Sequence, residues 1–272
     1  MRIDRRRAQE GAGGFVNVAA EGYVAEVFRS IQGEGLHVGV LQIFVRFAGC
    51  SLRCVYCDTV RARERTPHCI LQGVSPVPGK DRPARRVLPN PVDSREIAGA
   101  VRALAEASPG IHSVSVTGGE PLEQGRFLLA FLAGMREYGL PVHLETNGLV
   151  EDAAREAAPL ADFISMDIKL PSLCGGADLF AIHRRVLPMF RGRALACKVV
   201  VADGYDAGEF EEAARLVAGF DPRTPFIIQP ATPTEACGGV TGEELLACYL
   251  KAAAYLDDVR VIPQCHRILG LD

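Results

Sequence analysis

Leu41-Gln-Ile-Phe-Val-Arg-Phe-Ala-Gly-Cys-Ser-Leu-Arg-Cys-Val-Tyr-Cys-Asp58 is the stretch that decides how the rest of the chain reads. Its first seven residues make an apolar run suited to a buried β-strand. The run leads directly into a loop in which Cys50, Cys54 and Cys57 form a C-x3-C-x2-C triplet. A structural zinc site normally takes four protein ligands, whereas a 4Fe-4S cluster held by three cysteines leaves one iron able to bind another molecule. Three thiols therefore point to chemistry. A three-cysteine zinc site completed by an outside ligand is the competing reading, and iron analysis separates the two.

Outward from this stretch, apolar runs near 112–116, 141–145, 162–166, 195–201 and 226–229 alternate with amphipathic segments near 124–138, 151–158, 177–190 and 206–218. Before them, Asp93 or Ser94 can cap a helix whose Ile97, Val101 and Leu104 have helical spacing. Repeated strand-then-helix order predicts a parallel sheet. With the strand at 41–47 this makes six β/α units, an α/β fold in the form of a partial (β/α)6 TIM-like barrel. A doubly wound sheet fits less well, because the dinucleotide fingerprint is missing. Thr241-Gly-Glu-Glu244 forms a capping box for a last helix at 241–256, followed by a strand at 259–262. Apolar residues in the tail from Pro263 to Asp272 predict that it packs against the domain.

The 272 residues suffice for one sizeable core, and a single catalytic domain is expected over 22–272. Residues 1–21, rich in arginine and glycine, are expected to form a poorly ordered leader. Between Val60 and Val92, six prolines and six arginines without helical period predict a long irregular insertion, either disordered or serving as a lid or docking surface. A net charge of −3 with 23% charged residues shows no global bias toward nucleic acid or an anionic membrane. Nine cysteines without the apolar core of a secretory signal point to the reducing cytoplasm. The six outside the triplet, Cys69, Cys174, Cys197, Cys237, Cys248 and Cys265, form no second C-x2-C pair and read as small apolar residues or loop thiols.

Each polar motif falls at the C-terminal end of an expected strand, where barrel enzymes place their sites. The cysteine loop follows the first strand, Thr117-Gly-Gly-Glu-Pro121 the second, Glu145-Thr-Asn-Gly148 the third, Asp167-Ile-Lys169 the fourth and Gln229-Pro-Ala-Thr232 the sixth. Paired glycines let main chain approach a ligand, and Glu120 can accept hydrogen bonds from a cationic amine. The C-x3-C-x2-C loop followed by Gly-Gly-Glu-Pro resembles the radical S-adenosylmethionine (SAM) superfamily. That resemblance implies a 4Fe-4S cluster whose open iron chelates SAM. It also implies an electron that splits SAM to a 5′-deoxyadenosyl radical, which the protein shields. An electron donor such as flavodoxin is implied with it.

A narrower resemblance rests on Phe28-Arg-Ser-Ile-Gln-Gly-Glu-Gly35, Phe44-Val-Arg46, Cys57-Asp-Thr59, Lys198-Val-Val-Val201, Gln229-Pro230 and Val261-Ile-Pro-Gln-Cys-His266. These segments are similar to the 7-carboxy-7-deazaguanine synthase family. The resemblance implies ring contraction of 6-carboxy-5,6,7,8-tetrahydropterin to 7-carboxy-7-deazaguanine with loss of ammonia, in queuosine and deazapurine biosynthesis. Carried over by motif, Cys50, Cys54 and Cys57 are implied to hold the cluster. Tyr56, Cys57, Asp58, Gly119, Asp167, Ile168, Lys169, Gln229, Pro230, Ala231 and Thr232 are implied to contact SAM, and Glu120 is added for the SAM amine. Ile31, Gln32, Gly33, Arg46 and Thr117 are implied to bind the substrate, the guanidinium fork of Arg46 matching its carboxylate. Thr59 is implied as a magnesium ligand, against its alternative as a helix cap.

A homodimer is implied as well, and no protein acid or base is assigned. His266 and the tail stay outside the expected site. The rival enzyme reading is an activase of a glycyl radical enzyme, which shares the triplet and needs a polypeptide groove. The rival of another class is a zinc or nucleic-acid-binding module using the arginines of the insertion.

Overall fold

The computed structural model describes residues 19–74, 84–175 and 179–271. The chain runs through β1 (Glu21–Gly22), β2 (Val24–Ile31), β3 (Leu41–Phe47), β4 (His68–Gln72), β5 (Arg85–Pro89) and β6 (Val92–Asp93) to α1 (Ser94–Glu106). The strands and helices that follow alternate: β7 (Ser113–Gly118), α2 (Gly125–Glu137), β8 (Val142–Thr146), α3 (Glu151–Ala157), β9 (Phe163–Asp167) and α4 (Phe180–Val186). The last are β10 (Ala194–Val201), α5 (Ala207–Phe220), β11 (Phe226–Pro230), α6 (Gly242–Ala253), β12 (Val259–Val261) and α7 (Cys265–Ile268).

Ten strands form one sheet in the order β12-β11-β10-β9-β8-β7-β3-β2-β4-β5. Every neighbouring pair from β3 to β12 is parallel. The six expected β/α units are present, and β12 adds a short seventh parallel strand. The outermost strands β12 and β5 do not pair, so the result is an open, partial (β/α)6 barrel. Among the described residues no helix is long and apolar enough to cross a membrane.

The stretch at 60–92 departs from the expected irregularity. β4 and β5 form an antiparallel pair, and β4 joins β2 in parallel. Cys69, Leu71 and Leu88 are buried while Ile70 and Val87 face solvent, a period of two too short to stand out among the prolines. β2 runs antiparallel to β3 and was hidden by its polar Glu26, Arg29 and Ser30. Residues 75–83 and most of the expected leader, 1–18, lie outside the described residues. The end of that leader is tied down, because β1 pairs with β6 and Ser94 N donates to Ala20 O at 2.9 Å.

The helices follow their sequence signals. Asp93 caps α1 by accepting from Arg95 N at 2.7 Å. The expected capping box of Thr241 and Glu244 starts α6. On α2, Phe127 and Phe131 pack edge-on against Phe47 of β3, with ring centroids 5.3 and 6.5 Å away. The helix expected at 177–190 is shorter: α4 passes into a 3-10 turn, Leu187–Phe190, where Pro188 has no amide proton for an α-helical bond.

Alternation within the strands builds the interior. β3 directs Ile43, Val45 and Phe47 to the helices and Gln42, Phe44 and Arg46 inward. Register carries that inward face around the barrel, from Gln42, Phe44 and Arg46 to Ser113, Ser115 and Thr117, then to His143 and Glu145. Beyond them come Ser165 and Asp167, then Lys198 and Val200, then Gln229. Many barrels fill this space with branched apolar side chains; here it is polar. Gln32 Nε2 donates to Gln42 Oε1 at 2.9 Å and to Glu145 Oε1 at 3.0 Å, Gln42 Nε2 donates to Ser113 Oγ at 2.8 Å, and Ser115 Oγ donates to Glu145 Oε1 at 2.7 Å. Such partners are what buried polar groups require.

At the N-terminal end of the strands, the His37 ring lies 4.9 Å from His112, 4.9 Å from His143 and 4.6 Å from Phe163. Burial there pulls His143 down from 6.5 to about 3. In the unfolded chain His143 takes up its proton near pH 6.5, so between that pH and about 3 the unfolded state binds more protons and stability falls as pH falls. Urea unfolding followed at pH values from about 7.5 to 4.5 should show wild type losing on the order of 2–3 kcal/mol relative to His143→Gln. A gap independent of pH would show that the imidazole is not held neutral.

Candidate active site

The loop after β3 is folded mainly by its own main chain. Gly49 N donates to Ala62 O at 2.8 Å and Cys50 N to Arg63 O at 2.9 Å, while Arg63 Nη2 reaches Cys54 O at 2.5 Å. The turn after β7 closes a second side through Gly119 N to Phe47 O and Glu120 N to Gly49 O, both 2.8 Å. A Cβ on Gly119 would lie 2.1 Å from the Gly49 carbonyl oxygen, so this backbone approach admits only glycine. The turn after β9 closes a third side, Val55 N donating to Leu173 O at 3.0 Å. Cys50, Cys54 and Cys57 consequently line one cavity of about 190 Å³ at the C-terminal ends of the strands. Burial pushes the Cys50 thiol up to about 11, whereas a hydrogen bond from Cys174 draws Cys54 down to about 6.

Tyr56, Asp58, Thr59, Gly119, Glu120, Asp167, Lys169, Gln229 and Ala231 line the same cavity, as do Ile31, Gln32, Gly33, Arg46 and Thr117. Ile168, Pro230 and Thr232 do not. Ile168 alternates with Asp167 and Lys169, so its side chain packs in the core while its N–H donates to Lys198 O at 2.8 Å. Pro230 alternates likewise with Gln229 and Ala231. Thr232 Oγ1 donates to Gln264 Oε1 at 2.6 Å. Thr59 Oγ1 lies 3.7 Å from Cys57 Sγ and makes no capping hydrogen bond to the turn at Val60–Ala62.

Glu120 has an occupation other than the expected ligand amine. Its buried carboxylate accepts from Thr146 Oγ1 at 2.6 Å, Asn147 N at 2.7 Å and Leu122 N at 2.9 Å, tying the turn after β7 to the end of β8. Burial outweighs those bonds and pushes its carboxyl up to about 7. Gln32 is also engaged within the protein, accepting from Glu34 N at 3.1 Å as well as donating to Gln42 and Glu145. Arg46 Nε donates to Glu26 Oε1 at 2.8 Å and the guanidinium stands 5.5 Å over the Phe28 ring. Its two terminal nitrogens have no protein acceptor among the described residues.

Sequence reasoning left Glu34, Glu145, Lys198, Gln264 and His266 without a role, and all five line the cavity. Lys198 Nζ donates to Glu34 Oε2 at 2.5 Å and stands 3.5 Å from Asp167 Oδ1, while Lys169 Nζ donates to Asp167 Oδ2 at 2.9 Å. Burial disfavours the charge on Glu34, but the Lys198 ammonium and the hydrogen bonds from Lys198 and Gln264 hold its carboxyl down at about 2. Burial likewise opposes the charge on both lysines, and the surrounding carboxylates overcome it and raise them above their ordinary value. Gln264 Nε2 bridges Glu34 Oε1 at 2.9 Å and Asp58 Oδ2 at 2.8 Å. Ligand atoms of Glu34, Asp58 and His266 lie within 4.8 Å of one another. Two signals pointed this way: Lys198 is the one charge in the apolar strand Ala194–Val201, and Glu145 has the inward parity of β8.

The tail docks by polar contacts. Cys265 N donates to Gly33 O at 2.9 Å, and Gly33 presses so closely on His266 that a Cβ there would lie 2.4 Å from the ring. Ile268 and Leu269 are 75% and 61% exposed, the reverse of the apolar packing expected of this segment.

Gln229 Oε1 is buried without a hydrogen-bond partner, and Asp167 Oδ1 has only the Lys198 ammonium at 3.5 Å; both residues line the cavity. Unsatisfied groups of this kind suit a polar ligand. Beside three thiols that share the space, they fit a cluster with a polar cofactor next to it.

An open barrel with three cysteines after its first parallel strand defines a radical SAM enzyme, and residues 44–172 match the profile described as the Radical SAM superfamily. The crystal structure of QueE from Escherichia coli superimposes with a TM-score of 0.56 at 19% identity, covering 89% of this chain and 93% of that one, which is a likeness of fold. The 7-carboxy-7-deazaguanine synthase of Geobacter sulfurreducens is 39% identical over 248 residues, 90% of this chain and 96% of the relative. That of Methanothermobacter thermautotrophicus is 37% identical over 267 residues, 91% and 97% of the two chains. The chain belongs to the 7-carboxy-7-deazaguanine synthase family.

The approach of Gly119 to Gly49 is testable. Gly119→Ala should push the turn after β7 off the cysteine loop, so that anaerobically reconstituted protein carries well under half the iron of wild type and melts at lower temperature. Normal iron content would show that this contact does not hold the loop.

Proposed function

We propose that this enzyme contracts the ring of 6-carboxy-5,6,7,8-tetrahydropterin to 7-carboxy-7-deazaguanine with loss of ammonia. The observation that carries the reading is the convergence of Arg46, Glu145 and Lys198 on the cavity that the three cysteines also line. A small heterocycle with a carboxylate and ring N–H groups needs cations and an acceptor at close range. A glycyl radical enzyme activase needs a groove for a polypeptide, whereas the cations and the carboxylate gathered inside this cavity favour a small polar substrate.

Cys50, Cys54 and Cys57 would hold the cluster; Tyr56, Asp58, Gly119, Asp167, Lys169, Gln229 and Ala231 would bind SAM. Bound there, cluster and SAM would supply the radical chemistry. The protein's part is to bind, orient and shield. Arg46 offers its two terminal nitrogens to the substrate carboxylate while Glu26 holds Nε and fixes the fork. Glu145 accepts from Gln32 and Ser115 on Oε1, leaving Oε2 for the N–H edge of the pterin. Gln32 thereby positions Glu145, and Ile31, Gly33 and Thr117 shape the wall.

Thr59, on the cavity wall, would supply a hard oxygen for a magnesium ion. Cluster reduction calls for a donor such as flavodoxin. Exposed Val55 and Val60 among Arg53, Arg61 and Arg65 at the cysteine loop suit an acidic partner. Leu246, Tyr249 and Leu250, exposed along one face of α6, support a homodimer. Nine unpaired cysteines accord with the cytoplasm.

Anaerobic turnover of reduced, reconstituted protein with SAM, magnesium and 6-carboxytetrahydropterin, followed by mass spectrometry, should yield 7-carboxy-7-deazaguanine. Intact pterin beside cleaved SAM would sink the substrate assignment. Arg46→Ala should keep the cluster and SAM binding and lose roughly a hundredfold in kcat/KM; full turnover by that variant would remove Arg46 from the site. Cys54→Ala should assemble no 4Fe-4S cluster, as read by iron and sulfide analysis, and a full iron complement would contradict its role as ligand.

A further inference from the structure

Cys174 read in the sequence as a small apolar residue or loop thiol, and its setting gives it more to do. It directly follows the 3-10 turn Pro171–Leu173 after β9 and lies against the cysteine loop. Its thiol donates to Cys54 Sγ across 3.1 Å, and the Tyr56 hydroxyl stands 3.6 Å from Cys174 Sγ. The bond from Val55 N to Leu173 O, at 3.0 Å, fixes the approach through main chain. Cys174 is 5% exposed and belongs to the buried core. At this separation the two sulfurs are a hydrogen-bonded pair. Cysteines bound to separate irons of one cluster stand much farther apart, so Cys174 neighbours a ligand and is not a fourth one.

We propose that Cys174 donates a thiol hydrogen bond to the cluster ligand Cys54 and thereby raises the reduction potential of the 4Fe-4S cluster. The inference rests on the cluster reading given above. Reduction places an additional negative charge on iron and sulfur, and a donor on a ligand sulfur stabilises that form more than the oxidised one. Burial strengthens the effect, since no water competes for the sulfur and the local dielectric is low. Tyr56, itself beneath the Lys169 ammonium at 5.4 Å from its ring centroid, is placed to donate to a lone pair of the Cys174 sulfur, which leaves the single thiol proton for Cys54. Cys174 is in this sense a positioning and tuning residue; it touches a ligand of the cluster and not the reacting atoms.

The test compares wild type, Cys174→Ala and Cys174→Ser after anaerobic reconstitution, by iron and sulfide content and by an EPR-monitored redox titration without substrate. The expected result is equal iron content, a midpoint shifted to more negative potential in Cys174→Ala, and a partial return in Cys174→Ser, whose hydroxyl still donates. An alanine variant with the wild-type midpoint, or a serine variant shifted as far as alanine, overturns the proposal. Electron-nuclear double resonance on the reduced wild-type cluster in H2O and D2O gives a second readout should Cys174→Ala fail to fold. An exchangeable proton coupled through the Cys54 sulfur is expected there, and its absence overturns the proposal as well. Wild-type protein without iron would instead overturn the cluster reading itself.

Discussion

A buried ammonium group organises the centre of this protein. Lys198 sits in the middle of β10 with its side chain 8% exposed, and an ion removed from water at such a place costs several kcal/mol unless carboxylates surround it. Glu34 and Asp167 supply that compensation from two separate segments, the turn after β2 and the end of β9. Placing Glu34 in turn places Gln264, which bridges it to Asp58 beside the last cysteine. One charge therefore binds the N-terminal turn, the cysteine loop and the C-terminal tail into one wall of the cavity. The arrangement is polar because a flat, hydrogen-bonding substrate needs polar walls, and it stays ordered because Glu34, Asp167, Lys198 and Gln264 answer one another's charges and hydrogen bonds.

The cysteine loop obeys a different constraint. Its shape comes from backbone hydrogen bonds to three neighbours, and the approach of Gly119 to Gly49 leaves no room for any side chain. Glu120, next to it, spends its carboxylate on locking two strand ends together. In a site that manages a radical, such rigidity serves function directly: fixed walls exclude water and hold the reacting atoms in one geometry. The region 68–72 and 85–89, which lengthens the sheet beyond β2, gives the same loop a structured flank.

Much of this was legible in advance. Period-two and period-3.6 patterns located the parallel strands and their helices to within a few residues, and the cysteine spacing named the kind of cofactor. Legibility failed where local pattern is weak or where the deciding contact is distant in sequence. β2 carries polar residues on a strand that is only half covered, and β4 and β5 are short runs among prolines. Ile268 and Leu269 suggested a packed tail, while the actual docking runs through Gln264, His266 and the Gly33 carbonyl.

By itself the sequence determined the order of elements, the place of the cysteine loop at a strand end and the residue types available to it, because these depend on local periodicity and on spacing along one short segment. Only the tertiary structure decided which of those residues face one another. The parity of each strand, transmitted by register from β3 to β11, brings Arg46, Glu145, Asp167, Lys198 and Gln229 to one interior and turns Ile168 away from it. The pairing of Glu34 with Lys198 across 164 positions and of Cys174 with Cys54 across 120 has no trace in local pattern. Burial makes the first of these pairings obligatory, since a charge in a dry interior must find its partner wherever the fold puts one, while the second follows from the meeting of the turn after β9 with the cysteine loop.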